Sequence, residues 1–223
     1  MLHHNINFET TTDDAEGEAR GESVPTDWLT QTTVSEALAT FVGELEQIPP
    51  AFSAKKVAGE RAYAMARRGE DVELKPVFVH VQAAELLSLE GGFARVRFAC
   101  SRGTYIRALA RDLGRKLGVS AHLVALRRTR SGSAFLERAL PLDQLTQESL
   151  PAALVPMISI LESWPRVVVG EREAIDLRLG RAITAPVKAA HPISTRVLVS
   201  DRNDHLVALA QADGPRLQPF CVF

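Results

Sequence analysis

The sequence predicts an α+β protein, in which a mixed sheet with flanking helices is followed by a small and mostly β domain. Apolar residues recur at helical spacing in two segments and alternate with polar residues in two others. These are the patterns of amphipathic helices and half-exposed strands. Three prolines within residues 150–165 then precede a shorter region of strand-like patterns. We therefore expect two domains, residues 1–150 and residues 165–223.

The composition of the 223 residues is that of an ordinary globular protein, with 46% hydrophobic and 24% charged residues. No window approaches the about 18 consecutive apolar residues of a membrane-spanning helix. The first residues lack the basic start and apolar run of a secretory signal. The two cysteines, Cys100 and Cys221, lie far apart and fit no zinc or disulfide pattern. The sequence therefore favours a reducing, cytoplasmic location without a membrane.

The elements of the first domain follow from local patterns in chain order. Residues 1–31 are polar and contain glycines and a proline, which predicts irregular structure. Residues 33–36 fit a capping box, so a helix is expected to begin at Thr33. The adjacent prolines at 49 and 50 exclude a helix at that point. Residues 59–69 can form a short helix.

Two strands and a longer helix are predicted next. Residues 77–81 and 94–100 alternate as strands do, and a turn at 101–104 leads into a helix over residues 105–117. Apolar residues form one stripe of this helix. Another face carries arginines at i, i+4 and i+8, namely Arg107, Arg111 and Arg115. A solvated basic face is one interpretation of such a stripe, with Asp112 facing Arg115 or Lys116.

The second domain is expected to contain one helix and several short strands. The helix, residues 171–179, should end at Gly180. The expected strands are residues 166–169, 195–200, 205–210 and 220–223.

Charge is distributed unevenly along a chain whose formal net charge is −1. Residues 95–138 contain many arginines and lysines but only two acids, Asp112 and Glu137. Such a one-sided block favours a polyanionic partner such as a nucleic acid. A solvated surface is the alternative interpretation.

The segment around Tyr105 and Arg107 has the features of a site. A predicted strand ends there, Gly103 turns the chain, and both side chains project from the first turn of the predicted helix. A guanidinium is a permanently charged fork for a carboxylate or phosphate, and a tyrosine ring offers a flat face to a base. From these residues alone, a surface arginine beside a packed tyrosine remains the alternative.

Four stretches of the sequence resemble the TruB-type tRNA pseudouridine synthases, which isomerise a uridine in the T loop of tRNA. They are TTTDDAEGE (10–18), GELEQIPPAFSAKKVAGERAYAMARRG (43–69), CSRGTYIRALARDLGRKLG (100–118) and AHLVALRRTRSG (121–132). The resemblance implies a pseudouridine-synthase-like catalytic domain with a mobile thumb loop over residues 51–75. It also implies a PUA-like RNA-binding domain at residues 165–223.

The resemblance implies roles for individual residues. Arg107 matches the arginine that pairs with the family's catalytic aspartate, and Tyr105 matches a tyrosine beside the uridine that is flipped out of its loop. Leu126 matches a residue of the same pocket, so all three side chains should line one cleft. Asp14 matches an acid that helps to hold the arginine and should lie within about 4 Å of it. For Asp14, a plain surface turn is the alternative.

The implied partner is the T-stem loop of tRNA, where position 55 is isomerised by a monomer without metal or cofactor. Lys56 lies at the basic position of the thumb loop. Phosphates are expected to be held by basic side chains. The candidates are Lys56, Arg102, Arg127 and Arg128.

The family's GHTGTLDPxATG-like motif, whose aspartate carries out the chemistry, does not occur in the 223 residues. We therefore expect a family member without its N-terminal part, which needs that segment in cis or in trans. Such a chain should not form pseudouridine alone. A non-catalytic tRNA-binding fragment and an inactive relic are the alternatives.

Overall fold

The computed structural model describes residues 2–6, 8–21, 23–57, 59–185 and 191–223. The chain forms two compact units, Met1–Arg128 and Thr129–Phe223. The division therefore falls earlier in the chain than the proline-rich region around residue 150. The expected domain bounds and the extent of the thumb loop remain predictions.

The elements of the first unit alternate between strands and helices. In chain order they are β1 (Leu2–Asn5), β2 (Glu9–Thr10), β3 (Ala19–Arg20), α1 (Gln31–Ala39), β4 (Gly43–Gln47), β5 (Lys56–Val57), β6 (Glu60–Arg61), α2 (Ala62–Arg67), β7 (Val77–Glu90), β8 (Phe93–Cys100), α3 (Ile106–Lys116) and β9 (His122–Leu126).

The central sheet of the first unit has the strand order β4-β7-β8-β1-β9, and all its neighbouring strands are antiparallel. The prediction of irregular structure for residues 1–31 is wrong at Leu2–Asn5, because this segment pairs with β8 on one side and β9 on the other. Its sequence, LHHN, shows no strand pattern. The strand is formed by backbone pairing on both edges rather than by local preference.

Helices α1 and α3 pack into the same hydrophobic core as the sheet. Their buried side chains join those of β7 and β8 in one cluster that includes Val34, Leu38, Val81, Val96, Leu109 and Leu113. Burying each such side chain contributes about 1.5–3 kcal/mol. The core therefore fixes where the polar face of α3 points.

The start of α1 corrects the sequence prediction. Thr30 is the N-cap, and its side-chain oxygen accepts a hydrogen bond from the Thr33 backbone at 3.1 Å, while the Thr33 hydroxyl accepts one from the Thr30 backbone at 3.0 Å. The helix thus begins at Gln31 rather than Thr33. A second threonine, in place of a glutamate, completes the capping box.

Two small hairpins of the first unit are not among the strands of the central sheet. Strands β2 and β3 pair around the turn that contains residues 11–18, and β5 pairs with β6 just before α2. The loop before α2 is closed by backbone hydrogen bonds from Ala62 to Lys55 at 2.8 Å and from Tyr63 to Ser53 at 3.0 Å. Both hairpins occur in segments that carry the predicted site residues.

The second unit contains a five-stranded sheet with one longer helix. Its elements are β10 (Arg130–Ser131), β11 (Ala134–Phe135), 3-10 turns at Leu136–Arg138 and Leu142–Gln144, α4 (Leu150–Ala153), α5 (Met157–Ile160), β12 (Arg166–Val168), α6 (Glu171–Arg178), β13 (Ile183–Thr184), β14 (His191–Ser200), β15 (Leu206–Gly214) and β16 (Arg216–Val222).

The sheet of the second unit has the order β12-β14-β15-β16-β13, in which β12 and β14 are parallel and the other described pairs are antiparallel. Buried side chains of α6, β14 and β15 share one apolar cluster. The first sheet with its helices and the small, mostly β second unit confirm the predicted α+β class. The sheet of the first unit, however, is antiparallel rather than mixed, because its described neighbouring strands all run in opposite directions. Among the described residues, no helix is long and apolar enough to cross a membrane.

We predict that Gly114→Ala destabilises the protein, although alanine favours a helix over glycine by about 1 kcal/mol. A Cβ at Gly114 in α3 would lie 2.6 Å from the Cβ and 2.7 Å from the backbone nitrogen of Ala121. Forcing extra atoms into a packed site costs about 1–3 kcal/mol. Urea unfolding should show a lower free energy of unfolding.

The matched control is Lys116→Ala at an exposed position of the same helix. It should change the free energy of unfolding by less than about 0.5 kcal/mol. A Gly114→Ala protein as stable as the parent would show that α3 does not approach Ala121 this closely.

Candidate active site

The polar face of α3 lies against the acidic segment Glu9–Asp14, and three arginines of the helix pair with three acids of that segment. The N–O distances are 2.9 Å for Arg107–Asp14, 2.9 Å for Arg111–Asp13 and 3.2 Å for Arg115–Glu9. The interpretation of the stripe as a solvated basic face is therefore wrong. Acids distant in sequence neutralise it, and no local pattern shows them.

Arg107 is the most highly connected of the predicted site residues. One terminal nitrogen, Nη1, donates to Asp14 Oδ2 at 2.9 Å and to the Thr12 carbonyl at 3.1 Å. The other, Nη2, donates to the Phe52 carbonyl at 2.9 Å. The predicted closeness of Asp14 and Arg107 is confirmed.

Three of the five N–H donors of Arg107 are used in these bonds. Within the part of the chain that the structure describes, the Nε–H and the second Nη2–H have no protein acceptor. The Arg107 side chain is 28% exposed. The guanidinium is therefore held in place and still has two donors for an anion.

The turn around Asp14 fixes the carboxylate that faces Arg107. The Thr12 hydroxyl donates to Asp14 Oδ1 at 2.5 Å, and the Glu16 backbone donates to the same oxygen at 3.1 Å. The opposite oxygen, Oδ2, is thereby presented to the arginine. Gly17 permits this tight turn, because a Cβ there would lie 2.7 Å from the Thr12 backbone nitrogen.

Arg111 lies one helical turn beyond Arg107 and is buried, with 8% of its side chain exposed. It donates to Asp13 Oδ2, to Asp112 Oδ1 and to the Ile48 carbonyl, each at 2.9 Å. The expectation that Asp112 faces Arg115 or Lys116 is wrong, because the buried guanidinium beside it binds its carboxylate instead.

Burial and the neighbouring charges shift the pKa values of Asp13 and Arg111. Burial raises the pKa of Asp13 above its usual value, and the charge of Arg111 opposes this effect. Burial also works against the charge of Arg111, but Asp112 and Asp13 more than compensate and raise its pKa. Asp13 therefore takes up a proton more readily than an exposed aspartate, and Arg111 keeps its positive charge.

Gln47 is a site residue that sequence reasoning missed. Its buried side-chain amide donates to the Tyr105 carbonyl at 3.1 Å, and its Oε1 accepts from the Tyr105 backbone nitrogen at 2.8 Å. Tyr105 is the N-cap of α3. Gln47 lies in phase with the inward positions of β4, and a polar side chain at an inward position needs a partner. That signal was available in the sequence.

The remaining predicted residues lie outside this network. Leu126 ends β9 with its side chain 55% exposed. The basic candidates Lys56, Arg102, Arg127 and Arg128 are exposed. The structure thus brings together Arg107, Asp14 and the backbone of Tyr105, and the roles assigned to all these residues remain predictions. Within the described ranges, no cluster of His, Cys, Asp or Glu could hold a metal ion.

We predict that Gln47→Leu destabilises the protein, because it leaves the half-buried Tyr105 N–H without its acceptor. Losing a partner of this kind costs about 1–3 kcal/mol. The control is Glu46→Leu on the exposed face of the same strand. If urea unfolding gave equal losses for both variants, the Gln47–Tyr105 bonds would have no specific value.

A second prediction concerns the pH dependence of stability. An aspartate whose pKa is raised by folding makes the folded state bind more protons than the unfolded state, so stability falls as pH rises. The loss of stability should begin near the pKa of aspartate in the unfolded chain, about 3.9. The stability of the parent relative to Asp13→Asn should decrease as pH rises from there, measured by urea unfolding at several pH values. An increase instead would show that Arg111 outweighs burial.

Two sequence profiles of one protein family match consecutive parts of the chain. Residues 2–106 match the sequence profile of the TruB family pseudouridylate synthase N-terminal domain. Residues 107–162 match the profile of the tRNA pseudouridylate synthase B C-terminal domain.

Curated relatives carry one name. The chain is 43% identical over 214 residues to tRNA pseudouridine synthase B of Solibacter usitatus, covering 94% of this chain and 73% of the relative. It is 38% identical over 218 residues to the Stutzerimonas stutzeri protein of the same name, covering 94% of this chain and 70% of that relative. The Bacteroides fragilis protein of that name is 53% identical over 116 residues, covering 52% and 50%.

Solved structures show the same fold at low sequence identity. A chain in a crystal structure of a Cbf5-Nop10-Gar1 complex superposes with a TM-score of 0.69 and 22% identity, covering 99% of this chain and 66% of that one. A chain in the structure of an H/ACA RNP bound to a substrate RNA containing 2'-deoxyuridine superposes with a TM-score of 0.70 and 21% identity. The match covers 100% of this chain and 64% of that one. The pseudouridine-synthase-like fold is confirmed, and the sequence relationships show that this chain belongs to the TruB family of pseudouridylate synthases.

Proposed function

We propose that this chain takes part in the isomerisation of a tRNA uridine, at position 55 of the T loop, to pseudouridine. Arg107 is the residue that carries the proposal. It is fixed by three hydrogen bonds, it is partly exposed, and it retains two N–H donors within the described structure. A fixed guanidinium with unused N–H donors can bind a carboxylate through charge-assisted hydrogen bonds.

A carboxylate bound to Arg107 would stay ionised, as a nucleophile or base must. An adjacent guanidinium lowers the pKa of an acid because it favours the charged form. Arg107 also lies in the first turn of α3, where the helix dipole favours negative charge. The dipole offsets part of the repulsion between the incoming acid and Asp14. The site therefore suits one further carboxylate.

The proposed role of Tyr105 follows from its place at the N-cap of α3. Gln47 fixes its backbone from both sides, so the start of the side chain is well defined. An aromatic ring held in this way can stack against an uncovered base. We therefore assign Tyr105 to the flipped uridine and Leu126 to the wall of the same pocket.

The reacting carboxylate itself is not identified among these residues. Asp13 and Asp14 are already bound to Arg111 and Arg107. We expect the acid to come from a segment with a GHTGTLDPxATG-like motif, in cis or in trans. The engagement of both acids equally favours a second candidate function, a tRNA-binding module without its own chemistry.

The proposed RNA-binding surface consists of exposed basic side chains. Its members are Lys56, Arg102, Arg127 and Arg128. Because the α3 arginines are paired with acids, they should contribute little to phosphate binding. We expect a monomer that binds the T-stem loop and that is found in the cytoplasm with its tRNA substrate.

The activity test uses unmodified tRNA with pseudouridine mapped in the T loop. The chain alone should give no product, because removing the reacting group costs several orders of magnitude in rate even when binding survives. Adding a segment with the GHTGTLDPxATG-like motif, fused or separate, should restore product. Arg107→Lys should abolish the restored activity, since lysine lacks the fork.

Product from the chain alone at the rate of a normal enzyme would show that an acid of this chain does the chemistry. Failure to restore product, with salt-dependent tRNA binding retained, would favour the binding module.

The tRNA-binding measurement is made on a separate set of variants. Lys56→Ala, Arg127→Ala and Arg128→Ala should each lower the slope of log affinity against log salt by about one unit, whereas Arg115→Ala should leave it unchanged.

A further inference from the structure

Arg111 has no role in the proposed chemistry, yet it is the most deeply buried charged side chain of the polar face of α3. It uses Nη1 for Asp13, Nε for Asp112 and Nη2 for the Ile48 carbonyl. A buried ion pair of this kind is weak evidence for stability, because well-packed apolar residues often serve as well or better. Its contacts therefore call for another explanation.

Arg111 and Arg107 bind nearby residues in each of two separate segments. In the acidic segment, Arg111 binds Asp13 and Arg107 binds Asp14. In the segment that follows β4, Arg111 binds the carbonyl of Ile48, and Arg107 binds that of Phe52. Two arginines one helical turn apart thus hold the same two segments at neighbouring points.

Both segments are stiff between these points. Asp13 and Asp14 are adjacent, and the Leu123 backbone donates to the Asp13 carbonyl at 3.0 Å, which ties this turn to β9. Between the two carbonyls lie Pro49 and Pro50, both buried, whose rings restrict the backbone. A shift at the Arg111 contacts would therefore pass to the acceptors around Arg107.

We propose that Arg111 is a positioning residue for Arg107. By fixing Asp13 and the Ile48 carbonyl, it places the Asp14 carboxylate and the Phe52 carbonyl so that the Arg107 guanidinium is held in one orientation. The two remaining donors of Arg107 then keep a constant direction. This inference rests on the proposed function of Arg107 as the group that receives a carboxylate.

The test compares Arg111→Met with Arg115→Met in the full chain. Both variants remove one arginine from the same face of α3 and keep an unbranched apolar stem. Arg115 is the matched control because its one ion pair among the described residues is with Glu9, and its side chain is 57% exposed. The readout is the side-chain NMR signal of Arg107, namely the exchange rate of its Nε–H and the separation of its Nη signals, together with cooperative unfolding.

The proposal expects Arg107 to exchange at least about tenfold faster in Arg111→Met, equivalent to about 1.4 kcal/mol, with its Nη signals merged by free rotation. In Arg115→Met both readouts should match the parent. A cooperatively folded Arg111→Met protein with an unchanged Arg107 signal would overturn the proposal and leave Arg111 with a structural role only.

Arg111→Lys covers the case in which the methionine variant does not fold. Lysine keeps the charge beside Asp13 but cannot reach three acceptors with a planar fork. Faster exchange at Arg107 in this variant supports the proposal, and an unchanged signal overturns it. Because none of these readouts needs RNA or turnover, failure of the proposed function would be seen separately, as absent product or absent tRNA binding.

Discussion

The ion pairs between α3 and residues 9–14 are the contacts on which the rest of the candidate site depends. They join a helix fixed by the apolar core to a short hairpin that has little core of its own. The same arginines also bind carbonyls in the segment after β4. One face of one helix therefore sets the positions of two chain segments that have almost no regular secondary structure.

This arrangement separates two tasks that a basic sequence block could otherwise combine. Arginines paired with acids lose most of their attraction for phosphates but gain a fixed geometry. Arg107 keeps unused donors on a partly exposed side chain, which suits recognition of one carboxylate. We propose that RNA binding falls to other basic side chains, such as Lys56 and Arg128, which are exposed. Both tasks belong to one reaction, that of the TruB family of pseudouridylate synthases.

The sequence predicts the parts of this structure that local patterns or a specific motif determine. Helix α3 and the strand–turn–helix before it follow from periodicity, and the Arg107–Asp14 pair follows from the resemblance. Local patterns could not reveal the strand at Leu2–Asn5, which depends on pairing with distant strands. The pairing of Arg111 with Asp13 joins residues 98 positions apart and leaves no local signal. The start of α1 was missed because threonine replaces the expected glutamate in its capping box.

The most direct measurement for the central claim is a titration of the chain with formate, followed by the Arg107 side-chain NMR signals. The claim is that Arg107 has two donors available for one more carboxylate. It predicts a saturable shift of the Arg107 Nε–H signal that is absent from the signals of Arg111 and Arg115. No saturable shift at Arg107, or an equal shift at all three arginines, would contradict it.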